Sequence, residues 1–315
     1  MPGSPYTDLD RPPLNADRLR RALVEPYGPW RRLELRTETG STNADAAEAA
    51  RRGEPEGLVV VAERQTAGRG RLGRSWQSPP RAGLAVSVLL RPGDADPDRR
   101  WPAVPTNRYG WLPLLAGVAL ATAVTRLAEL PAELKWPNDL LVGDAKCAGI
   151  LAEGVPGPDP GRAPAVVLGF GLNVTLRADE LPVNPTGLPA TSLALAGATA
   201  TDRDPLLRAV LRSVADWYDR WRTAGGDADA CGLRAAYLRH CATVGRDVRV
   251  LLPAGDPLVG AATTVDHEGR LVVTTAGTDA GVAAGTDAGV AAGTDAGVAA
   301  GTEHRVAAGD VLHLR

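Results

Sequence analysis

Lysine is nearly missing from this chain of 315 residues. Of 35 basic side chains only two, Lys135 and Lys146, are lysine, and the rest are arginine. A chain so biased keeps an ammonium where a compact point charge is required. Cysteine is scarce as well: Cys147, Cys231 and Cys241 are odd in number and lack C-x-x-C spacing. That argues against a disulfide framework or a zinc site and fits a reducing cytoplasm. The four histidines, His240, His267, His304 and His313, all fall in the last quarter, so Cys147 has no evident partner for a nucleophilic hydrolase. No strong charge excess exists either. A formal net charge of −2 gives no global call for nucleic acid or an acidic membrane. The longest uncharged apolar run, Tyr109 to Thr125, has 17 residues and contains Pro113. It falls short of the roughly 20 residues of a membrane span and reads as a buried core helix. Met1 to Asp10 has no apolar core, so no secretory leader is expected.

What the chain has is an arginine–glycine loop. Residues 63–81 lie between two apolar strand-like segments, Leu58 to Ala62 and Leu84 to Leu90. Gly68, Gly70 and Gly73 alternate with Arg69, Arg71 and Arg74. Glycine lets the backbone approach a ligand closely, and arginine brings a permanent charge with a fork that matches phosphate or carboxylate. The spacing satisfies G-x-G-x-x-G, but Ser75-Trp76-Gln77-Ser78-Pro79-Pro80 follows and cannot open the helix a dinucleotide site needs. The loop suits closure over an anion; a solvated hairpin is the plainer alternative.

In chain order, residues 1–15 are Pro-rich and expected to be disordered, and 16–25 form a short helix. That leaves no room before residue 40 for a two-helix DNA-reading unit. Arg32 to Thr37 reads as a strand. Gly40-Ser41-Thr42-Asn43 precedes an Ala-rich helix and is an N-cap, a ligand-binding helix start, or both. A core helix runs from Leu114 to Glu129. Leu134 to Val142 reads as a strand interrupted at Pro137, which presents Asn138 and Asp139 at an irregular backbone site. Lys146 to Glu153 is its antiparallel partner, and Ala165 to Val174 is another strand containing Gly169, Gly171 and Asn173. Helices over 205–222 and 229–242 follow, with Trp217, Tyr218 and Trp221 packing inward. From Arg246 onward, segments 246–252, 258–265, 270–275, 304–307 and 310–314 read as a small β-barrel. Within it the octad AGTDAGVA begins at Ala276 and is repeated without change at 284–291 and 292–299. It reads as a duplication inside a tolerated surface loop.

Arginines and a lysine around a carboxamide–carboxylate pair suit phosphoryl or nucleotidyl transfer, where catalysis is mostly positioning and charge stabilisation. A non-enzymatic module binding nucleic-acid phosphates fits less well, because aromatics near the loop are few. Five segments in order then resemble the biotin–protein ligases: 40–43, 65–74 (Gln65 to Arg74), 135–139 (Lys135-Trp136-Pro137-Asn138-Asp139), 146–153 and 169–174.

The resemblance implies an α+β fold, a central mixed or antiparallel sheet flanked by helices and similar to class II synthetases, with an SH3-like C-terminal barrel. It implies an extension over 1–29, a catalytic domain over 30–243 and a barrel over 244–315, with the repeat insertion at 276–301. It further implies activation of biotin by ATP with Mg2+ to biotinyl-5′-AMP. The biotinyl group would then pass to a lysine of the biotin carboxyl carrier domain of acetyl-CoA carboxylase or a related carboxylase. By motif, Ser41, Thr42, Asn43, Gln65, Arg69, Gly70, Arg71 and Lys146 would hold biotin. Arg69, Arg71, Arg74, Trp76, Asn138 and Asn173 would serve the nucleotide, and Lys146, Arg71 and Asp139 would be catalytic. Trp76 and the strand after the loop would help form an apolar slot for biotin. No protein metal ligands are implied beyond the ATP phosphates. A lipoate ligase of the same fold is the alternative, but its Arg-Ser-Gly-Gly-Gly type of segment is not found. The expected protein is cytoplasmic, a monomer or homodimer, and binds neither DNA nor membrane.

Overall fold

The computed structural model describes residues 11–157, 161, 163–182, 188–275 and 301–314. The octads, 276–299, lie outside the described residues.

A seven-stranded sheet organises the first part. Its strands are β1 (Arg32–Arg36), β2 (Leu58–Ala62), β3 (Gly83–Leu90), β4 (Ala132–Lys135), β5 (Asp139–Val142), β6 (Ala145–Val155) and β7 (Ala165–Asn173). Their spatial order is β1-β2-β3-β7-β6-β5-β4, and only β1 and β2 run parallel. The helix α2 (Thr42–Arg51) connects those two, as a parallel pair requires a crossover. It covers one face of the sheet. Ala46, Ala49 and Ala50 pack on Leu58, Val60 and Val167 there, while Val59 and Val61 point into the main core. This alternation explains why β2 reads as an unbroken apolar run: it is buried on both faces.

The other face carries α1 (Ala16–Leu23), α3 (Trp111–Ala123), α4 (Arg203–Thr223) and α5 (Leu233–His240). Helix α3 is apolar nearly all round and packs against α4, α5 and strands β4 to β7, the place of a core helix. Tyr218 and Trp221 are buried and Trp217 is half-buried against the same core. Helix α1 is capped by Asn15, whose side chain accepts from Arg18 N. The chain before it is tied down by a buried ion pair, Arg203 Nη1 to Glu63 Oε2 at 2.6 Å. Glu63 Oε1 accepts Leu14 N, and Arg203 donates to Pro12 O.

Three expectations change. The disorder expected over 1–15 does not hold for 11–15, where Arg11 pairs with Glu180 and Leu14 is buried. Leu134 to Val142 is not one interrupted strand but a hairpin. Strands β4 and β5 pair antiparallel, with Lys135 opposite Asp139, and Trp136-Pro137-Asn138 turns the chain. Proline cannot continue the ladder, so the chain reverses there. The helix expected from 229 begins only at Leu233. Asp227 Oδ1 accepts from Asp229 N and Ala230 N and holds a separate turn, which ends at left-handed Gly232.

A second, antiparallel sheet follows: β8 (Asp247–Leu251), β9 (Leu258–Val265), β10 (Leu271–Thr275), β11 (Thr302–Val306) and β12 (Asp310–His313), in the order β11-β10-β9-β8-β12. It docks on the first unit through two indoles. Trp111 Nε1 donates to His267 O at 3.0 Å and Trp136 Nε1 to Gly269 O at 3.1 Å. The backbones touch at Gly110 and Gly269, where an added Cβ at Gly269 would lie 2.9 Å from Gly110 C.

Candidate active site

A cavity of about 350 Å³ opens where the start of α2, the arginine–glycine loop, the turn before β5 and strands β6 and β7 meet. Twelve of the thirteen site residues expected from sequence line it: Ser41, Thr42, Asn43, Gln65, Arg69, Gly70, Arg71, Arg74, Trp76, Asn138, Lys146 and Asn173. The thirteenth, Asp139, stands behind Lys146, with Oδ1 2.6 Å from Lys146 Nζ. The contact is an ion pair whose angles are poor for a hydrogen bond.

At one end, Ser41 caps α2 and accepts from Ala44 N. Gln65 Oε1 takes both Thr42 N (2.8 Å) and Thr42 Oγ1 (3.0 Å). Asn43 donates to Glu153 Oε2 at 2.6 Å, which turns its Oδ1 towards Ser87 Oγ, also 2.6 Å away. Ser87 Oγ lies 2.8 Å from Thr42 Oγ1 as well, so its single proton serves two oxygens in turn. Gly169 makes room for this: a Cβ there would sit 1.9 Å from Asn43 Oδ1. The expected close approaches at the β7 glycines are therefore real. Ser87 was missed, although it is the one polar residue in the run Leu84 to Leu90. It is fully buried, where a hydroxyl needs partners.

The floor is flat. Gly149 and Gly171 are paired across β6 and β7, and the Trp76 ring lies over both. A Cβ on Gly171 would come 2.4 Å from the indole, and Lys146 Nζ is 5.8 Å from the ring centroid.

The loop forms a tight hairpin. Trp76 N donates to Gly68 O at 2.9 Å and Gly70 N to Arg74 O at 2.7 Å. Its tip places Leu72 and Gly73 in left-handed backbone. Arg71 Nη1 donates to Asn138 Oδ1 and to Gly309 O, each at 3.3 Å, and Arg74 pairs with Asp310. Burial pulls the Arg71 guanidinium below its usual value; Asp139 opposes this and Arg74 reinforces it. It remains a cation. Arg69 is exposed and makes no ion pair among the described residues. Asn138 is held by Nδ2 to Ile150 O (3.1 Å), and Asn173 by Nδ2 to Thr191 O (2.9 Å).

Lys135, the other lysine, shares the sheet face of Asp139. Burial lowers its pKa, Asp139 opposes this, and Lys146, Arg74 and Arg71 add to it. Cys147 is buried, donates to Asn173 O and has its thiol pushed up to about 12 by burial, so it is inert packing. Sequence placed every histidine away from these motifs, but folding brings one close. His313 Nε2 is 3.1 Å from Thr243 Oγ1, which accepts Trp136 N at 3.0 Å.

The cavity thus offers an array of small polar groups at one end and a cluster of cations over a glycine floor at the other. That suits a neutral polar ring joined to an anionic group. Among the described residues, no three carboxylate, histidine or cysteine side chains gather to hold a metal.

The profile of the Biotin/lipoate A/B protein ligase family matches residues 38–173. The biotin--[acetyl-CoA-carboxylase] ligase of Mycobacterium tuberculosis is 42% identical over 277 residues, covering 86% of this chain and 94% of that protein. The bifunctional ligase/repressor BirA of Bacillus spizizenii is 32% identical over 235 residues, 75% of this chain and 67% of its own length. Among solved structures, the biotin protein ligase from Aquifex aeolicus in complex with biotin and ATP superposes with a TM-score of 0.62. It is 22% identical, and the match covers 91% of this chain and 100% of that one, so it shows a shared fold. With motifs, fold and near full-length similarity in agreement, the chain belongs to the biotin protein ligases of the biotin/lipoate A/B protein ligase family.

Proposed function

We propose that this protein activates biotin with ATP and transfers the biotinyl group to a lysine of a biotin carboxyl carrier domain, such as that of acetyl-CoA carboxylase. The observation that carries the reading is the single cavity in which the Ser41–Asn43 helix start, the Arg69–Arg74 loop and Lys146 converge.

In the first step a biotin carboxylate oxygen attacks the α-phosphorus of ATP and pyrophosphate leaves. In the second, the acceptor amine attacks the carbonyl of the mixed anhydride and AMP leaves. Thr42, Gln65 and Ser41 hold the ureido ring, and Asn43 seats the helix start through Ser87 and Glu153. The Trp76 ring, seated on the glycine floor, packs against the apolar tail. Lys146, aligned by Asp139, sits at the carboxylate and stabilises the charge that develops between it and the α-phosphate. Arg69, Arg71 and Arg74 bind phosphate oxygens, and the loop keeps water from the anhydride. Asn138 and Asn173 serve the nucleotide. Mg2+ would enter with the ATP phosphates and neutralise part of their charge. In this reading 30–243 is the catalytic domain, 244–315 the accessory one, and the protein works in the cytoplasm.

The test is to mix the purified chain with biotin, Mg-ATP and a carrier domain and to weigh the carrier. A carrier heavier by one biotinyl group, with AMP and pyrophosphate released, is expected. An unmodified carrier with no AMP formed overturns the reading.

A further inference from the structure

The arginine–glycine loop does not stand alone over the cavity. It is fastened from outside the first sheet, by two adjacent residues at the start of β12. Arg71 donates to Gly309 O at 3.3 Å, and Arg74 pairs with Asp310, which itself lines the cavity. Between these two arginines lies Leu72, with φ 55°. Left-handed backbone at a leucine is strained. Its side chain is 62% exposed, so no burial offsets that strain. The two anchored arginines flank the strained residue.

The fastening point is firm. Gly309 is packed so closely that a Cβ would lie 2.9 Å from Leu251 O. Strand β12 pairs with β8 throughout, Asp310 to Leu251 and His313 to Val248. Its far end, His313, reaches Thr243 and through it the Trp136 backbone of the β4–β5 turn. One short strand therefore touches both the loop and the turn that presents Asn138.

We propose that Asp310 is a positioning residue, the catch by which the C-terminal sheet holds the Arg69–Arg74 loop closed over the cavity. This rests on the ligase reading for what the cavity contains. On that reading, the second sheet sets how long the acyl-adenylate is retained before an amine arrives. Asp310 acts through Arg74, and the pair is partly exposed, 39% and 21% for the two side chains. Its hold is therefore modest and sensitive to salt.

The experiment compares the full chain with Asp310→Asn in two measurements. One is deuterium exchange of residues 68–75 without ligand. The other is the rate at which preformed biotinyl-AMP leaves the protein. Asp310→Asn is expected to speed both about three- to fivefold, the size of a partly exposed ion pair. Asp310→Glu restores both, which a merely structural role does not explain. In the wild type without ligand, ~0.5 M salt is expected to speed exchange of residues 68–75 to the same degree and to add nothing in Asp310→Asn. Unchanged exchange and release in Asp310→Asn overturn the catch. If that variant does not fold, salt-independent exchange of residues 68–75 in the ligand-free wild type overturns it instead. If the wild type makes no biotinyl-AMP, the ligase reading fails while the exchange arm still decides the catch.

Discussion

Lys146 Nζ lies 2.6 Å from Asp139 Oδ1, and Asp139 faces Lys135 across the β4–β5 hairpin. The chain's two lysines thus flank one carboxylate at the edge of the cavity. An arginine at 146 keeps the charge but brings a planar fork into space shaped for a point charge, between Asp139 and the Trp76 ring. Lys146→Arg is expected to slow biotin-dependent pyrophosphate release about 100-fold or more, on the scale of losing one electrostatic stabiliser. A rate within threefold of wild type, read in single turnover, counts against a role at the reacting carboxylate.

Arg71 joins the loop to both Asn138 and Gly309. Arg71→Gly removes both ties and leaves the loop freer. The first step is expected to continue while biotinyl-AMP escapes about 100-fold faster, if each of the two lost charge-assisted bonds is worth ~1.5 kcal/mol. Filter retention of labelled intermediate measures this, and retention equal to wild type rejects the lid.

Ser87 touches no cavity space yet contacts Thr42 and Asn43. Ser87→Ala leaves the buried Asn43 Oδ1 without its donor, at a cost of about 1–3 kcal/mol. The expected result is a biotin KM raised roughly tenfold, with kcat at saturating biotin little changed. Equal losses in kcat and KM for both substrates are the outcome that defeats this role.

His313 gives the pH dependence. Burial, then Lys135 and Arg246, depress its pKa from 6.5 to about 4. The unfolded chain therefore takes up a proton between those values that the folded chain refuses. Stability from this site is intact above pH 6.5 and is lost progressively as pH falls towards 4. Thermal midpoints of wild type and His313→Gln between pH 7 and 5 check it. The variant is expected to lose less stability on acidification, and parallel slopes would show that His313 does not carry the effect.

Much of the site was legible because its chemistry is local in sequence. Ser41-Thr42-Asn43, the Arg-Gly loop and Lys146 with its glycine neighbours each lie on one element, and residue type announces them. Pro137 announced an irregularity but not its form. Telling an interrupted strand from a hairpin requires knowing that Lys135 and Asp139 pair with each other. The helix expected at 229 failed because Asp227 holds its own turn, a competition between side chain and helix that composition does not rank.

The sequence alone determined the cavity-lining groups, their order and the family, since short motifs fix backbone shape and charge through nearest neighbours. It also determined that β2 and α3 are core, because no charged residue interrupts them. Only tertiary structure decided that Asp310 meets Arg74, that His313 and Thr243 support the Trp136 turn, and that Gly149 and Gly171 make one floor. Those partners are separated by up to hundreds of residues. Each side chain by itself is an ordinary surface charge, core hydroxyl or strand glycine, and pairing and docking of the two sheets give them their roles.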